Sequence, residues 1–225
     1  MPGYIFYICM LAENHKPSRY KEIVKFNKIS GVILAGGINS RFDGKTKANL
    51  IIEGRTIISG ITEILSLIFS EIIIVTNTPD EFSEYTGYKI VSDWFKNVGP
   101  LGGIHAALKA SSGDAVFVVA GDMPLLNKQL IVSQTEEYVR NTCDALIPTI
   151  NHNIEPLHAI YSIAILNKLE EYLAGNSNFA VREFFNKIET RYLELKDSEA
   201  TKNAFTNINT PSDFINFKSS KNRNI

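Results

Sequence analysis

The chain has 225 residues, 44% of them hydrophobic and 21% charged, which suits one domain with a sizeable core. A net charge of −1 and a pI near 6.4 leave no basic face to recommend DNA or RNA as a partner. Cys9 and Cys143 are too few and too far apart to suggest a disulfide framework or a zinc site, and His15, His105, His152 and His158 never fall in a metal-ligand spacing, so a reducing, cytosolic setting is expected.

Residues 1 to about 28 precede the first expected strand. Tyr4 to Ala12 is apolar but far too short to span a bilayer, so no membrane partner is expected. No cation precedes that run and no small-residue cleavage pattern follows it, unlike a secretory signal. Lys16 to Lys28 is polar and basic, with Pro17 interrupting it. A peripheral extension, a weak targeting segment and residues translated from an upstream start are the three readings, and an extension that adds nothing to the chemistry is preferred.

Gly31 to Leu34 is an apolar run, short and β-branched enough for a buried strand. Ala35, Gly36 and Gly37 follow, small residues that let backbone N–H groups approach a ligand. Ser40, Arg41, Lys45 and Lys47 come next. A strand that empties into such a turn, rich in amides and cations, is how a chain builds a phosphate cradle. Neither a Walker loop nor the G-x-G-x-x-G fingerprint fits the spacing. The alternative is a glycine turn between core elements with solvated cations.

Leu50 to Arg55 reads as a short strand and turn, and Thr56 to Phe69 has the apolar period of a one-faced helix. Glu71 to Thr76 and Lys89 to Val91 are further strands, ending at Asn77 and Asp93. Gly99-Pro-Leu-Gly-Gly103 opens a helix to about Ala110, and Ala115 to Ala120 is a strand apolar enough to be central. Ala145 to Ile150 and His158 to Ser162 are expected strands around a polar loop. Ile163 to Leu173 and Asn178 to Lys187 are expected helices, the second with Asn178 as cap, and Arg191 to Leu195 a late strand. Pro211 starts a last helix before a frayed end. The resulting fold class is α/β, a single-domain three-layer sandwich with a mostly parallel sheet. Ligands of such sheets sit outside the carboxyl ends of the strands, which should gather Leu34 to Gly37, Asn77, Asp93 and Asp122 on one edge.

Three constellations carry chemistry. The cradle's amides, with Arg41 and Lys47, have the residue types to neutralise a triphosphate and the pyrophosphate leaving from it. Asp122, in Ala-Gly-Asp-Met-Pro, is a strand-end carboxylate of the kind that holds Mg²⁺; its alternative role is an N-cap for a helix starting near Leu125. Gly102 and Gly103 sit in a turn at a helix N-terminus, where structure alone can explain both. Asp93 is open to reading as a turn former. His105 and His158 read as a helix-surface and a sheet residue rather than ligands, and Trp94 and Phe95 as core or rim.

Leu34-Ala-Gly-Gly with Ser40, Arg41, Gly44 and Lys47 resembles the L-A-G-G-x-S-x-R-(M/F)-G-x-x-K signature of nucleotidyltransferases, and most closely that of the molybdenum-cofactor guanylyltransferase family. Asp43 stands where that family usually has glycine. Four motifs in family order extend the resemblance from Ile29 to about Phe214. It implies a Rossmann-like nucleotidyltransferase fold over residues 29–218, after the extension 1–28 and before a tail at 219–225. The implied reaction is attack by the terminal phosphate of molybdopterin on the α-phosphorus of Mg·GTP, and no general base is required because that phosphate is already ionised.

By the same resemblance, Arg41, Lys47 and Asp122 are catalytic, and Asp122 and Asn209 bind Mg²⁺, although Asn209 also reads as a cap for the Pro211 helix. Leu34, Ala35, Gly36, Gly37, Lys47, Asn77, Asp93, Gly102, Gly103 and Asp122 bind the nucleotide, and Glu155-Pro-Leu-His-Ala matches a segment near the acceptor. GTP and molybdopterin are the implied partners, with transient contacts to other molybdenum-cofactor proteins. Gly36-Gly37 favours guanine over the Ala-Gly of many CTP-using relatives. A CTP-using sister enzyme, a transferase for another phosphorylated acceptor, and a decayed non-catalytic nucleotide binder are the rivals, the last kept alive by Asp43.

Overall fold

The computed structural model describes residues 25–36, 46–175 and 179–221. Arg41, Gly37, Asp43 and Asn178 therefore lie outside the described residues, as does most of the N-terminal segment.

The frame is set by the strands that the apolar runs encode. β1 (Ile29–Leu34), β4 (Ile72–Val75), β5 (Lys89–Val91) and β6 (Ala115–Ala120) are parallel neighbours in the order β6-β1-β4-β5. Between β4 and the chain start lie a small hairpin, β2 (Ile51–Ile52) and β3 (Arg55–Thr56), and helix α1 (Ile57–Ser66). The other half of the sheet holds β7 (Ala145–Ile150), β9 (His158–Ser162) and β10 (Thr190–Glu194), with β8 (Asn153–Ile154) paired to β7. The sheet thus has eight strands among the described residues, in the order β10-β7-β9-β6-β1-β4-β5 with β8 to one side. β9 runs antiparallel to both β6 and β7, while β10 is parallel to β7. The mostly parallel α/β sandwich is therefore the observed fold, with one reversed strand at its middle.

Side chains alternate between two cores along each central strand, as the pleat requires. Ile33, Phe117 and Val119 face one core with α1 and helix α3 (Lys128–Arg140). Val32, Val116 and Val118 face the other, with α2 (Pro100–Ala110), α4 (Leu166–Gly175) and α5 (Val181–Phe185). All six residues of β6 are buried, which is why their sequence shows no polar alternation. Two short C-terminal helices, α6 (Glu199–Ala204) and α7 (Pro211–Lys221), complete the fold.

Several expected boundaries move. The first helix stops at Ser66, and Leu67 to Phe69 close it with a tight turn in which Phe69 N–H donates to Leu65 O at 2.8 Å. The helix expected from Asn178 spans Val181–Phe185, with Ala180 at its start and no side-chain cap. Phe26 and Lys28, assigned to the extension, touch the domain: Phe26 N–H donates to Ile68 O at 2.8 Å, and Lys28 O accepts from Asp114 N–H at 2.7 Å. No helix among the described residues is long and apolar enough to cross a membrane.

Candidate active site

The parallel strands deliver their last residues to one edge, and missing side chains let those ends close on each other. Gly121 N–H donates to Leu34 O at 2.9 Å. A Cβ at Gly121 would sit 3.0 Å from that oxygen and 3.2 Å from both Ala35 Cα and Ala48 Cβ, so the end of β6 lies against the end of β1 only as glycine. Sequence reasoning named Asp122 and passed over this neighbour; the small residue just before a strand-end carboxylate was its signal. The Ala35 amide, expected in the cradle, donates instead to Val75 O at 2.8 Å, as a sheet bond. Ala35 contributes its small size to the site rather than its N–H.

Over β4 and β5 the structure joins Asn77 to Asp93: the amide Nδ2 donates to Asp93 Oδ2 at 3.0 Å, and Lys96 Nζ donates to the Asn77 carbonyl. Gly36 lies beside this pair, with Asn77 Nδ2 3.8 Å from where its Cβ would be. Gly102 and Gly103 serve packing as the structural alternative required. A Cβ on Gly102 would be 2.7 Å from the Phe95 carbonyl oxygen; on Gly103 it would be 3.1 Å from Leu34 Cδ2 and 3.7 Å from Asp93 Oδ1. The two glycines draw the start of α2 against the Asp93 loop and the Leu34 strand end. Lys96 was missed because nothing in its sequence neighbourhood marks it.

Over β6 the second group forms. Lys47 Nζ donates to Asp122 Oδ2 at 2.9 Å and to Asn209 Oδ1 at 3.0 Å, joining residues far apart in sequence. The Lys47 and Asp122 side chains are only 23% and 18% exposed, so this pair is shielded from solvent more than a surface bridge. Neither oxygen donor is occupied with capping. Asn127 caps α3, its Oδ1 accepting from Leu130 N–H at 3.0 Å, so Asp122 is not that cap. At α7, Thr210 Oγ1 accepts from Asp213 N–H, while Asp213 Oδ2 accepts from the N–H groups of Asn209 and Thr210. The Asn209 side chain is left free of that helix and turns to Lys47. Ile208 N–H donates to Asp122 O at 2.9 Å and fixes the two loops together.

Lys47 is held from behind by a partly buried network. Glu81 Oε2 accepts from Thr46 N–H at 3.2 Å and from Asn49 Nδ2 at 3.3 Å, and the hydroxyls of Thr46, Thr78 and Thr76 form a chain. Burial alone would raise the Glu81 carboxyl, but hydrogen bonds from Thr46, Thr78 and Asn49 outweigh it and hold it below the usual glutamate value. Sequence reasoning missed Glu81, a link across 35 positions to Thr46 that carries no motif.

The histidines part company with expectation. His105, expected on a helix surface, is fully buried, with Nε2 2.9 Å from Glu170 Oε1 and its ring edge-on to Phe95. α2 is buried from Leu101 to Leu108, so it has no surface face at that point. Trp94 is 69% exposed, with Lys109 Nζ 4.5 Å above its ring. His158 is a sheet residue as expected, buried between Phe117 and Phe205.

Asp122 and Asn209 offer one carboxylate and one amide oxygen aimed at a single cationic atom, a hard donor pair that suits Mg²⁺ completed by phosphates and water. No group of three or more His, Cys, Asp or Glu able to hold a metal occurs among the described residues.

Residues 31–191 match the family described as MobA-like NTP transferase domain. A molybdenum cofactor guanylyltransferase of Syntrophotalea carbinolica is 34% identical over 188 residues, covering 82% of this chain and 88% of the relative. A second, from Desulfosudis oleivorans, is 32% identical over 187 residues, covering 81% and 90%. Among solved structures, molybdopterin-guanine dinucleotide biosynthesis protein A from Archaeoglobus fulgidus superposes with a TM-score of 0.73 at 25% identity, over 86% of this chain and 99% of that one. With the matched segment running from β1 into β10 and carrying Lys47, Asn77, Asp93 and Asp122, the chain belongs to the MobA-like NTP transferase domain family.

Proposed function

We propose that this protein transfers GMP from Mg·GTP to the terminal phosphate of molybdopterin, releasing pyrophosphate. The observation that carries the reading is the Lys47–Asp122–Asn209 cluster at the end of the central strand, beside the Leu34–Gly36 turn and the Asn77–Asp93 pair. The names of the relatives supply the base and the acceptor. Leu34, Gly36, Asn77, Asp93, Gly102 and Gly103 form the nucleoside side, with Gly37 of the cradle adjoining in sequence. Lys47 and Arg41 bind phosphate oxygens. Asp122 and Asn209 hold the divalent cation, which when bound stabilises the negative charge of phosphoryl transfer.

The protein's own contribution is positioning and charge, as this chemistry requires. Glu81 fixes Thr46, and so the root of the Lys47 side chain. Gly121 brings Asp122 up to the phosphate turn. The ionised acceptor phosphate needs no base, so no proton has to be taken from the nucleophile. A cytosolic location belongs to the same reading.

The test is pyrophosphate release from each of GTP, CTP, ATP and UTP, with and without molybdopterin. Acceptor-dependent release with GTP in preference to the others is expected. Preference for CTP would refute the guanine assignment, and no release with any nucleotide would favour a non-catalytic binder. GTP with Mg²⁺ should also raise the melting temperature more than CTP does, because a ligand bound only to the folded state stabilises it.

A further inference from the structure

Asp93 stands on a loop that the sheet does not hold. Residues 92–99, between β5 and α2, belong to neither element, so no ladder of backbone bonds fixes the carboxylate in place. Asn97 and Gly99 both have positive φ, and the chain turns there through a region that few residues favour. The position of Asp93 therefore depends on what the side chains around it touch.

The two residues after Asp93 are aromatic, and α2 grips both. Phe95 meets the His105 ring edge-on, with centroids 5.0 Å apart, and Lys109 Nζ stands 4.5 Å from the centre of the Trp94 ring. The Phe95 carbonyl oxygen lies only 2.7 Å from where a Cβ on Gly102 would be, so loop and helix start are in close contact. His105 and Lys109 are four residues apart in one helix and share a face.

One carboxylate from another helix serves both. Glu170, on α4, has Oε1 2.9 Å from His105 Nε2 and 3.0 Å from Lys109 Nζ. Hydrogen bonds from His105 and then Lys109 hold its carboxyl below the usual glutamate range, and an ionised carboxylate only accepts, so Nε2 carries the His105 hydrogen. The Lys109 contact alone would be an exposed ion pair of little weight. The His105 contact is different. Its ring is fully buried and Nδ1 has no partner among the described residues, so Glu170 is the group that fixes the ring's polar side.

Resting on the transferase reading above, we propose that Glu170 is a positioning residue for the nucleotide: through His105 and Lys109 it fixes Phe95 and Trp94, and with them the loop that presents Asp93. It touches neither the nucleotide nor the reacting atoms. Its removal frees Lys109 from the Trp94 face and leaves a buried imidazole N–H without an acceptor, which costs the ring its fixed orientation toward Phe95. Asp93 then loses its set place beside Asn77, while the Lys47–Asp122–Asn209 cluster over β6 is untouched. The loss falls on nucleotide binding rather than on the chemical step.

Trp94 is the sole tryptophan of the chain, so its fluorescence reports the loop directly. In Glu170→Ala, acrylamide quenching of that emission should rise and its anisotropy fall. The GTP affinity should drop about 2- to 30-fold, the range for residues that act at a distance, and turnover at saturating GTP and molybdopterin should stay within about 2-fold of wild type. Glu170→Gln, which keeps the length and one acceptor oxygen, should fall between. Lys168→Ala controls for a general loosening of α4: Lys168 pairs with Asp144, just before β7, and its loss should leave all three readouts at wild-type values. Unchanged Trp94 signals in Glu170→Ala would overturn the proposal, as would loosened Trp94 with wild-type GTP affinity. So would a loss of turnover at saturation as large as the loss of affinity, or an equal effect of Lys168→Ala. No GTP binding by the wild type, with Trp94 loosened in Glu170→Ala, would refute the nucleotide reading and leave Glu170 as the holder of the loop.

Discussion

His158 makes the fold sensitive to mild acid, by an amount that can be worked out. It is fully buried at the carboxyl end of the sheet, edge-on to Phe117 and Phe205, and neither ring nitrogen has a hydrogen-bond partner among the described residues. Desolvation lowers its pKa from 6.5 to about 4. Between those values the unfolded chain binds a proton that the folded one refuses, so stability rises with pH across the window and is lost as pH falls through it. From pH 7.5 to pH 5 the loss on this account is about 2 kcal/mol, or roughly 4–8 °C in melting temperature for a chain of this size.

The variant His158→Phe keeps the aromatic contacts and removes both orphaned nitrogens, and His158→Leu serves if the larger ring overpacks the site. Glu155, whose carboxyl is raised by burial, works in the opposite sense, but it is common to both proteins and cancels in the comparison. Melting curves at pH 7.5 and pH 5 should show the wild type losing several degrees more than the variant. Parallel losses would refute the buried, neutral imidazole.

Three other outcomes follow from the geometry. Asp122→Asn should lose on the order of 100-fold or more in turnover, with helix α3 intact because Asn127 caps it; wild-type turnover in a steady-state assay would remove the metal role from Asp122. Gly102→Ala should lower the melting temperature and weaken GTP binding, because its Cβ would stand 2.7 Å from the Phe95 carbonyl, two residues from Asp93. Overpacking of about 1–3 kcal/mol outweighs the roughly 1 kcal/mol that alanine returns to the helix, so a stabilised variant would contradict the packing role. Deleting residues 1–24 should leave folding and turnover unchanged, whereas deleting 1–27 removes Phe26, its bridge to Phe69 and the ring contact between them, and should cost several degrees by thermal melt; equal melting of the two truncations would show that Phe26 adds nothing.

The parts of the site that could be read from sequence are those with local signals. The valine-rich run of β6 marked the central strand, and the rule that ligands sit past strand ends then gathered Leu34, Asn77, Asp93 and Asp122. Direction carries no such mark: His158–Ser162 is as apolar as its neighbours, and its antiparallel course depends on the hairpin at Asn151 and His152, both in the left-handed region. Capping was ambiguous because Asp122 and Asn127 both precede α3, as Asn209 and Thr210 both precede α7; only the hydrogen bonds assign the caps to Asn127 and Thr210. His105 was misjudged because α2 is buried nearly all round and so lacks a polar stripe against which to place it. Glu81 and Lys96 act through contacts distant in sequence, which no pattern announces.

The charges at the edge explain why the cradle's own cations matter as much as the pairs seen in detail. Lys47 is balanced by Asp122, and Asn209 is neutral. In the nucleoside half, Lys96 reaches Asn77, which in turn holds the Asp93 carboxylate, so that group also sums to zero. A triphosphate entering between them meets two carboxylates and two ammonium groups, with no net attraction from these side chains at distances beyond their spacing. The affinity for a polyanion then has to come from what is added to these balanced pairs. On the proposed reading, Arg41 and Lys45 of the signature would supply two positive charges next to it in sequence, and a divalent cation held by Asp122 and Asn209 would supply two more. Asp43 takes one away. On this reading the balanced pairs set geometry while the loop and the metal set affinity, so substitutions at Lys47 should act mainly on turnover, those at Arg41 and Asp43 mainly on nucleotide binding, and those at Asp122, the carboxylate that would hold the metal, on both.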